Sequence, residues 1–302
     1  MTSIEVRDIS KRFGETQAVN GVSFEVRPGE IFGLLGPNGA GKTRTIRIIL
    51  DIFKPDSGSV SILGGEMSEE KKNQIGYLPE ERGLYQDIPL EHCLQFLALL
   101  KGMTRAEADS GINNLLERFN LNKYRKKKVK ELSKGMQQKA QLITALVHDP
   151  ALIIIDEPFN SLDPVNTQMV KDLLTEQRDQ GKTIIMCTHQ MNQVEQLCDR
   201  LVLIDRGKVV LRGTLEDIRK RFASNNILVR SLNKIPATFP GVKAIEPYND
   251  HYKMILKQDA TPQSVLKNLV EEDILLEEFE IAVPSLDEIF IKVVKNIGEK
   301  NE

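Results

Sequence analysis

Residues 36 to 43 read Gly-Pro-Asn-Gly-Ala-Gly-Lys-Thr, a glycine-rich loop ending in a cation and a hydroxyl. The octet fits G-x-x-x-x-G-K-[ST] at every fixed position, a spacing suited to a nucleoside triphosphate with magnesium. The glycines let the backbone of Gly36, Pro37, Asn38, Gly39, Ala40 and Gly41 curl, so that its N–H groups face phosphate oxygens. Lys42 neutralises the outer phosphates, and Thr43 offers a hydroxyl to magnesium. Ile31 to Leu35, just before the loop, is an apolar run that reads as a buried strand. Ile46, Ile49, Leu50 and Phe53, just after it, fall at helical spacing. A helix starting near Gly41 aims the positive end of its dipole at the same anion.

A second chemical element lies at Leu152-Ile153-Ile154-Ile155-Asp156-Glu157-Pro158. The unbroken apolar run is that of a parallel strand covered on both faces. Its terminal Asp156 would sit beside the phosphate loop and hold magnesium, usually through water. Glu157 would polarise a water for in-line attack, a form of general-base help contributing roughly 10²–10⁴ in rate. Alone, such a run ending in two acids is an ordinary solvated strand end; the phosphate loop upstream favours the chemical reading.

Leu132-Ser133-Lys134-Gly135-Met136-Gln137-Gln138 precedes a helix, Ser161-Leu162-Asp163 follows the acids, and His189 follows a later apolar strand. With these in this order, residues 3 to 222 resemble the ATP-binding subunit of an ABC transporter. The resemblance implies an α/β fold: a P-loop NTPase core with an antiparallel β subdomain and a helical subdomain over about residues 84–147. It implies ATP and Mg2+ as ligands and ATP hydrolysis as the activity. It places Phe13 where the family stacks an aromatic on adenine, although alone Phe13 reads as a core residue. Arg44 extends the phosphate loop. Glu80, in Tyr77-Leu78-Pro79-Glu80, stands where the family has glutamine and still offers an oxygen to magnesium or water. Ser133 and Gly135 would meet the terminal phosphate of a nucleotide held by another subunit; Ser133 also suits a helix N-cap. Lys134 and Met136 replace the family's glycine and glutamine. Asp163 belongs to the loop that crosses the dimer interface, and His189 to the residue that touches the terminal phosphate. Catalysis would fall to Glu157 and His189.

The resemblance further implies two copies, or a homologous pair, closing around two ATP and driving a separate integral membrane permease from the cytoplasmic face of the cell membrane. Ser285-Leu286-Asp287-Glu288-Ile289-Phe290 resembles the tail of bacterial export ATPases for sodium or drugs, which points to export. The alternative is a soluble ABC ATPase acting on ribosomes or DNA. Such relatives carry two ATPase units or a long coiled coil, and no heptads run far enough here.

Composition agrees with a globular chain in one or two domains: 302 residues, 40% hydrophobic and 28% charged. A net charge of −2 implies no strong nucleic-acid field, and no nucleic acid is expected as partner. The apolar stretches are too short to span a bilayer, and no signal-peptide pattern opens the chain. Three cysteines without metal spacing argue against a disulfide framework. The basic run Lys123 to Lys130 reads as a solvated loop. Thr104 with Glu107, and Ser285 with Glu288, fit capping boxes. Asp163-Pro164 and Thr261-Pro262 mark helix starts. Composition shifts near Phe222 to Asn226, so the chain divides into an ATPase domain, residues 1–222, and a small C-terminal α+β domain, residues 223–302.

Overall fold

The structure is a computed structural model that describes residues 2–81, 83–222 and 226–298. Its chain begins as a long hairpin, β1 (Ile4–Phe13) and β2 (Thr16–Val26), closed by Gly14 and Glu15. Sequence periodicity marks only the first half of β1 and the last half of β2. The register slips after Val6, Ile9 and Lys11, and Asp8 adopts φ +47°. Bulges of this kind erase the two-residue alternation that signals a strand.

β3 (Ile31–Leu35) leads into α1 (Lys42–Ile49), then β4 (Ser57–Ile62), α2 (Glu69–Asn73) and β5 (Ile75–Leu78). The charged patch at Glu69 to Lys72 is the short helix α2, with Ser68 accepting the Lys71 N–H. A helical insertion follows: α3 (Leu90–Leu100), α4 (Arg105–Arg118) and α5 (Lys134–Leu146). Thr104 and Glu107 form the expected capping box on α4. The basic run forms two short 3-10 turns, where Arg125 pairs with Glu91 at 2.7 Å and Lys130 with Asp87 at 2.6 Å.

The core resumes with β6 (Leu152–Asp156), α6 (Pro164–Asp179), β7 (Thr183–Thr188), α7 (Met191–Leu197), β8 (Arg200–Asp205) and β9 (Lys208–Thr214). Six strands form one sheet in the order β5-β6-β7-β3-β8-β9, parallel except for β9. β2, β1 and β4 form a separate antiparallel sheet. Ile46 and Ile49 of α1 share one buried cluster with Ile4, Val22 and Phe24 of that sheet and with Phe32, Ile154 and Val202 of the six strands. Each such fully buried side chain contributes about 1.5–3 kcal/mol, so packing between two sheets fixes α1 and the loop before it.

The chain divides into two compact units between Leu215 and Glu216. The boundary expected near residue 223 falls on residues 223–225, outside those described, and the two divisions differ by α8 (Leu215–Phe222). The second unit holds β10 (Asn226–Ser231), β11 (Val242–Tyr248), β12 (His251–Leu256), α9 (Pro262–Glu271), β13 (Leu276–Ile281) and α10 (Leu286–Gly298). Its antiparallel sheet runs β11-β12-β10-β13. Ile227, Val229, Met254, Leu256, Val265 and Leu269 form its core. Thr261 caps α9, and Ser285 and Glu288 cap α10 reciprocally.

Candidate functional site

The phosphate loop joins the end of central strand β3 to α1. Gly36 has φ +149°, and a Cβ there would lie 2.1 Å from the Ile204 carbonyl oxygen. Gly41 has φ +107°, and its Cβ would meet the Ala18 carbonyl oxygen at 2.5 Å. No side chain fits at either end, which is the physical content of the two fixed glycines. Lys42 is 6% exposed and donates from Nζ to the carbonyls of Gly36 at 2.7 Å and Pro37 at 3.1 Å. Its ammonium is thus held inside the curl of the loop, with Asn38 and Gly39 exposed at the rim.

The acids come from the end of β6. In the sheet β7 lies between that strand and β3. Asp156 nevertheless reaches the loop, because the parallel strands end on the same edge: Thr43 donates from Oγ1 to Asp156 Oδ2 at 2.8 Å. Burial pushes the Asp156 carboxyl up from its ordinary range, opposed by hydrogen bonds from Cys187 and Thr43. A buried carboxylate beside a hydroxyl wants a cation. Magnesium keeps several waters and takes one or two protein oxygens with substrate phosphates, and this donor pair fits it. Among the described residues no group of three His, Cys, Asp or Glu could hold a metal alone.

Glu157 is 4% exposed and has φ +53°, the left-handed region that costs a non-glycine residue about 1–3 kcal/mol. Its Oε2 accepts from Thr188 Oγ1 at 3.0 Å. Its Oε1 accepts the His189 backbone N–H at 3.0 Å and lies 2.6 Å from His189 Nδ1. Asn38, Gly39, Gly41, Lys42, Thr43, Arg44, Glu80, Asp156 and Glu157 line one cleft of about 450 Å³, with Arg47 and Glu81 added. Arg47 and Glu81 approach each other at 3.6 Å. Phe13 is partly exposed rather than a core residue; its ring meets Phe53 edge-on at 5.2 Å, and the Arg44 guanidinium lies 5.4 Å from its centre.

Ser133, Gly135 and Asp163 form a second group. Ser133 is exposed at the N-cap of α5, where its Oγ accepts the Met136 N–H at 3.3 Å. A Cβ on Gly135 would lie 2.8 Å from the Ser161 carbonyl oxygen, so that glycine lets α5 approach the 161–163 loop. Asp163 caps α6 by accepting the Asn166 N–H at 2.9 Å, which holds its carboxyl below the usual range.

Several participants escaped the sequence reading. Gln138 is buried and donates to the carbonyls of Glu157 and Pro158, both at 3.2 Å, tying α5 to the loop after β6. Cys187 stands level with Asp156 in the register of β6 and β7. Both contacts depend on which strands and helices become neighbours, and only the glutamine's place inside an apolar helix face hinted at a role.

Residues 19–160 match the family described as ABC transporter, and residues 213–294 match the C-terminal domain described as ATP-binding protein DrrA1-3-like. An uncharacterised ABC transporter ATP-binding protein of Bacillus subtilis, YhaQ, is 38% identical over 298 residues, covering 98% of this chain and 100% of that protein. This chain is an ABC transporter ATP-binding protein. A Nod factor export ATP-binding protein I of Burkholderia lata is 38% identical over 213 residues, 70% of each chain. A solved ATP-binding subunit of an ABC transporter superposes with a TM-score of 0.69 at 36% identity, over 73% of this chain and 93% of that one. The ABC ATP-binding family binds nucleotide and hydrolyses ATP in transporters, generally as dimers working with a membrane permease. Among the described residues no helix is long and apolar enough to cross a membrane.

Proposed function

We propose that this ABC ATPase powers an exporter. Two copies, or this chain and a homologous one, close head to tail around two ATP with Mg2+, an arrangement with two-fold symmetry. The observation that carries the reading is the separation of the two groups: the cleft is lined from the phosphate loop, residues 80–81 and residues 156–157, and neither Ser133 nor Gly135 is among its lining.

In this reading Phe13 stacks on adenine, and the loop from Gly36 to Arg44 cradles the phosphates. Thr43, Asp156 and, from the rim, Glu80 hold magnesium, which when bound neutralises charge on the phosphates. Glu157 takes a proton from the attacking water, and His189 turns from Glu157 to the terminal phosphate. Phosphoryl transfer of this kind needs positioning and charge stabilisation more than covalent chemistry. Ser133 Oγ, which caps α5, and the Gly135 N–H in the first turn of that helix complete the partner's site, with Asp163 at the seam.

The permease would meet the helical insertion. Tyr85, Phe96, Leu99 and Leu100 are all exposed there, with Tyr85 edge-on to Phe96 at 5.6 Å. Large exposed apolar groups gathered on one element favour a protein partner. That contact would hold the chain at the cytoplasmic face of the cell membrane. Export is supported by the similarity to the Nod factor export ATP-binding protein. The ATPase is assigned to residues 1–222 and the accessory domain to residues 223–302.

The test is Ser133→Arg. It should leave ATP binding intact while removing ATP-dependent dimerisation and hydrolysis. Normal hydrolysis by a monomeric variant would overturn the in-trans arrangement.

A further inference from the structure

We propose that Thr188 is a positioning residue for Glu157, acting through the hydroxyl it donates to one carboxylate oxygen. The proposal rests on Glu157 being the base, and it names the group that aims that base.

β7 lies between β6 and β3, and its register with β6 sets Cys187 level with Asp156. One residue further, Thr188 stands by Glu157, and the Glu157 N–H donates to the Cys187 carbonyl at 2.8 Å. The last two residues of β7 therefore lie against the two acids at the end of β6.

The direction of the Thr188 hydrogen bond is fixed. Thr188 is fully buried, with no water to turn to. Its Oγ1 accepts the Gln190 N–H at 3.1 Å, which leaves the hydroxyl proton for another partner. An ionised carboxylate only accepts. The 3.0 Å contact with Glu157 Oε2 is thus a donation from threonine.

The two oxygens of Glu157 are held differently. Oε1 faces His189, whose side chain is 46% exposed and free to turn towards a phosphate. Oε2 faces a buried, β-branched side chain with a stiff χ1. When His189 leaves, Thr188 is the side chain that keeps the carboxylate aimed. Glu157 needs such a hold, since the His189 N–H serves Oε1 while Oε2 takes its hydrogen bond from Thr188, and a buried oxygen left without a donor is costly.

Thr188→Val keeps the shape and deletes the hydroxyl; Thr188→Ser keeps the hydroxyl. Steady-state hydrolysis of Mg-ATP by the full chain separates kcat from KM. Thr188→Val is expected to lower kcat about tenfold to a hundredfold, the loss of one charge-assisted hydrogen bond, with KM unchanged. Thr188→Ser is expected to retain most of the wild-type kcat. In a Glu157→Gln background, Thr188→Val should add no further loss, because no carboxylate remains to aim. Thr188→Ala, which also lacks the hydroxyl, serves where the valine variant does not fold. Wild-type kcat in Thr188→Val or Thr188→Ala, alongside a slow Glu157→Gln, overturns the proposal and leaves Glu157 as base. Equal losses in the valine and serine variants, or a raised KM, indicate packing alone and also overturn it. Wild-type kcat in Glu157→Gln overturns the reading beneath it.

Discussion

Glu157→Gln replaces the one acid held by both Thr188 and His189 at almost constant volume. The carboxylate it removes meets Thr188 Oγ1 at 3.0 Å, His189 N at 3.0 Å and His189 Nδ1 at 2.6 Å. A glutamine carbonyl can still accept the His189 N–H, so the cost in stability is that of one weakened hydrogen bond, about 1 kcal/mol. The nucleotide-facing contacts do not involve this side chain: Lys42 stays on the Gly36 and Pro37 carbonyls, and Thr43 on Asp156. ATP affinity should therefore change little. Hydrolysis should not survive as well. Loss of general-base help slows it by roughly 10²–10⁴, or about 2.7–5.4 kcal/mol of barrier. Single-turnover phosphate release, measured beside equilibrium ATP binding, separates the two effects. Phosphate release within about tenfold of wild type would refute the assignment, since that falls below the range of general-base catalysis.

Two further outcomes are expected. Leu100→Glu places a charge among the exposed Tyr85, Phe96 and Leu99. Co-expressed with its permease, that variant should no longer sediment with membranes while hydrolysing ATP normally when alone; unchanged sedimentation contradicts the proposed contact. In the second unit, His251 Nε2 lies 2.6 Å from Glu278 Oε2, and Nδ1 lies 2.7 Å from Asp250 Oδ1. The hydrogen bond to Glu278, then that to Asp250, raises the imidazole above its ordinary 6.5, so the fold favours the cation. That stabilisation is fully present below about pH 6.5 and is lost as pH rises through the folded value. His251→Gln should lower the denaturation midpoint more at pH 6 than at pH 9, and an equal loss at both would contradict this sign.

The chemistry was more legible than the scaffold. Gly36 and Gly41 announce themselves through their local spacing ahead of Lys42 and Thr43, although the carbonyls that exclude a Cβ there belong to the distant Ile204 and Ala18. Asp163, Thr261 and Ser285 were readable as helix starts for the same reason: capping is settled within four residues. The second half of β1 was not, because its bulges break the alternation that reveals strands. Nor was the place of β7 between β6 and β3, since strand order is set by packing across the whole sheet. The contacts of Cys187, Thr188 and Gln138 with the acidic loop follow from that order and stayed hidden with it. Ser133 shows both kinds of signal at once: its capping of α5 is local and visible, while its proposed partner lies on another chain.

Whether one ATP is held by two chains is measured directly by a mixture of two inactive variants. Lys42→Ala disables the phosphate loop, and Ser133→Arg disables the element offered to the partner. In a mixed dimer, one site joins the intact loop of the Ser133→Arg chain to the intact Ser133 of the Lys42→Ala chain. Each mixed dimer has one whole site through which its two chains can close, so equal amounts mixed should hydrolyse ATP well above the sum of the two variants measured apart. A mixture no more active than its two components measured apart would contradict the account.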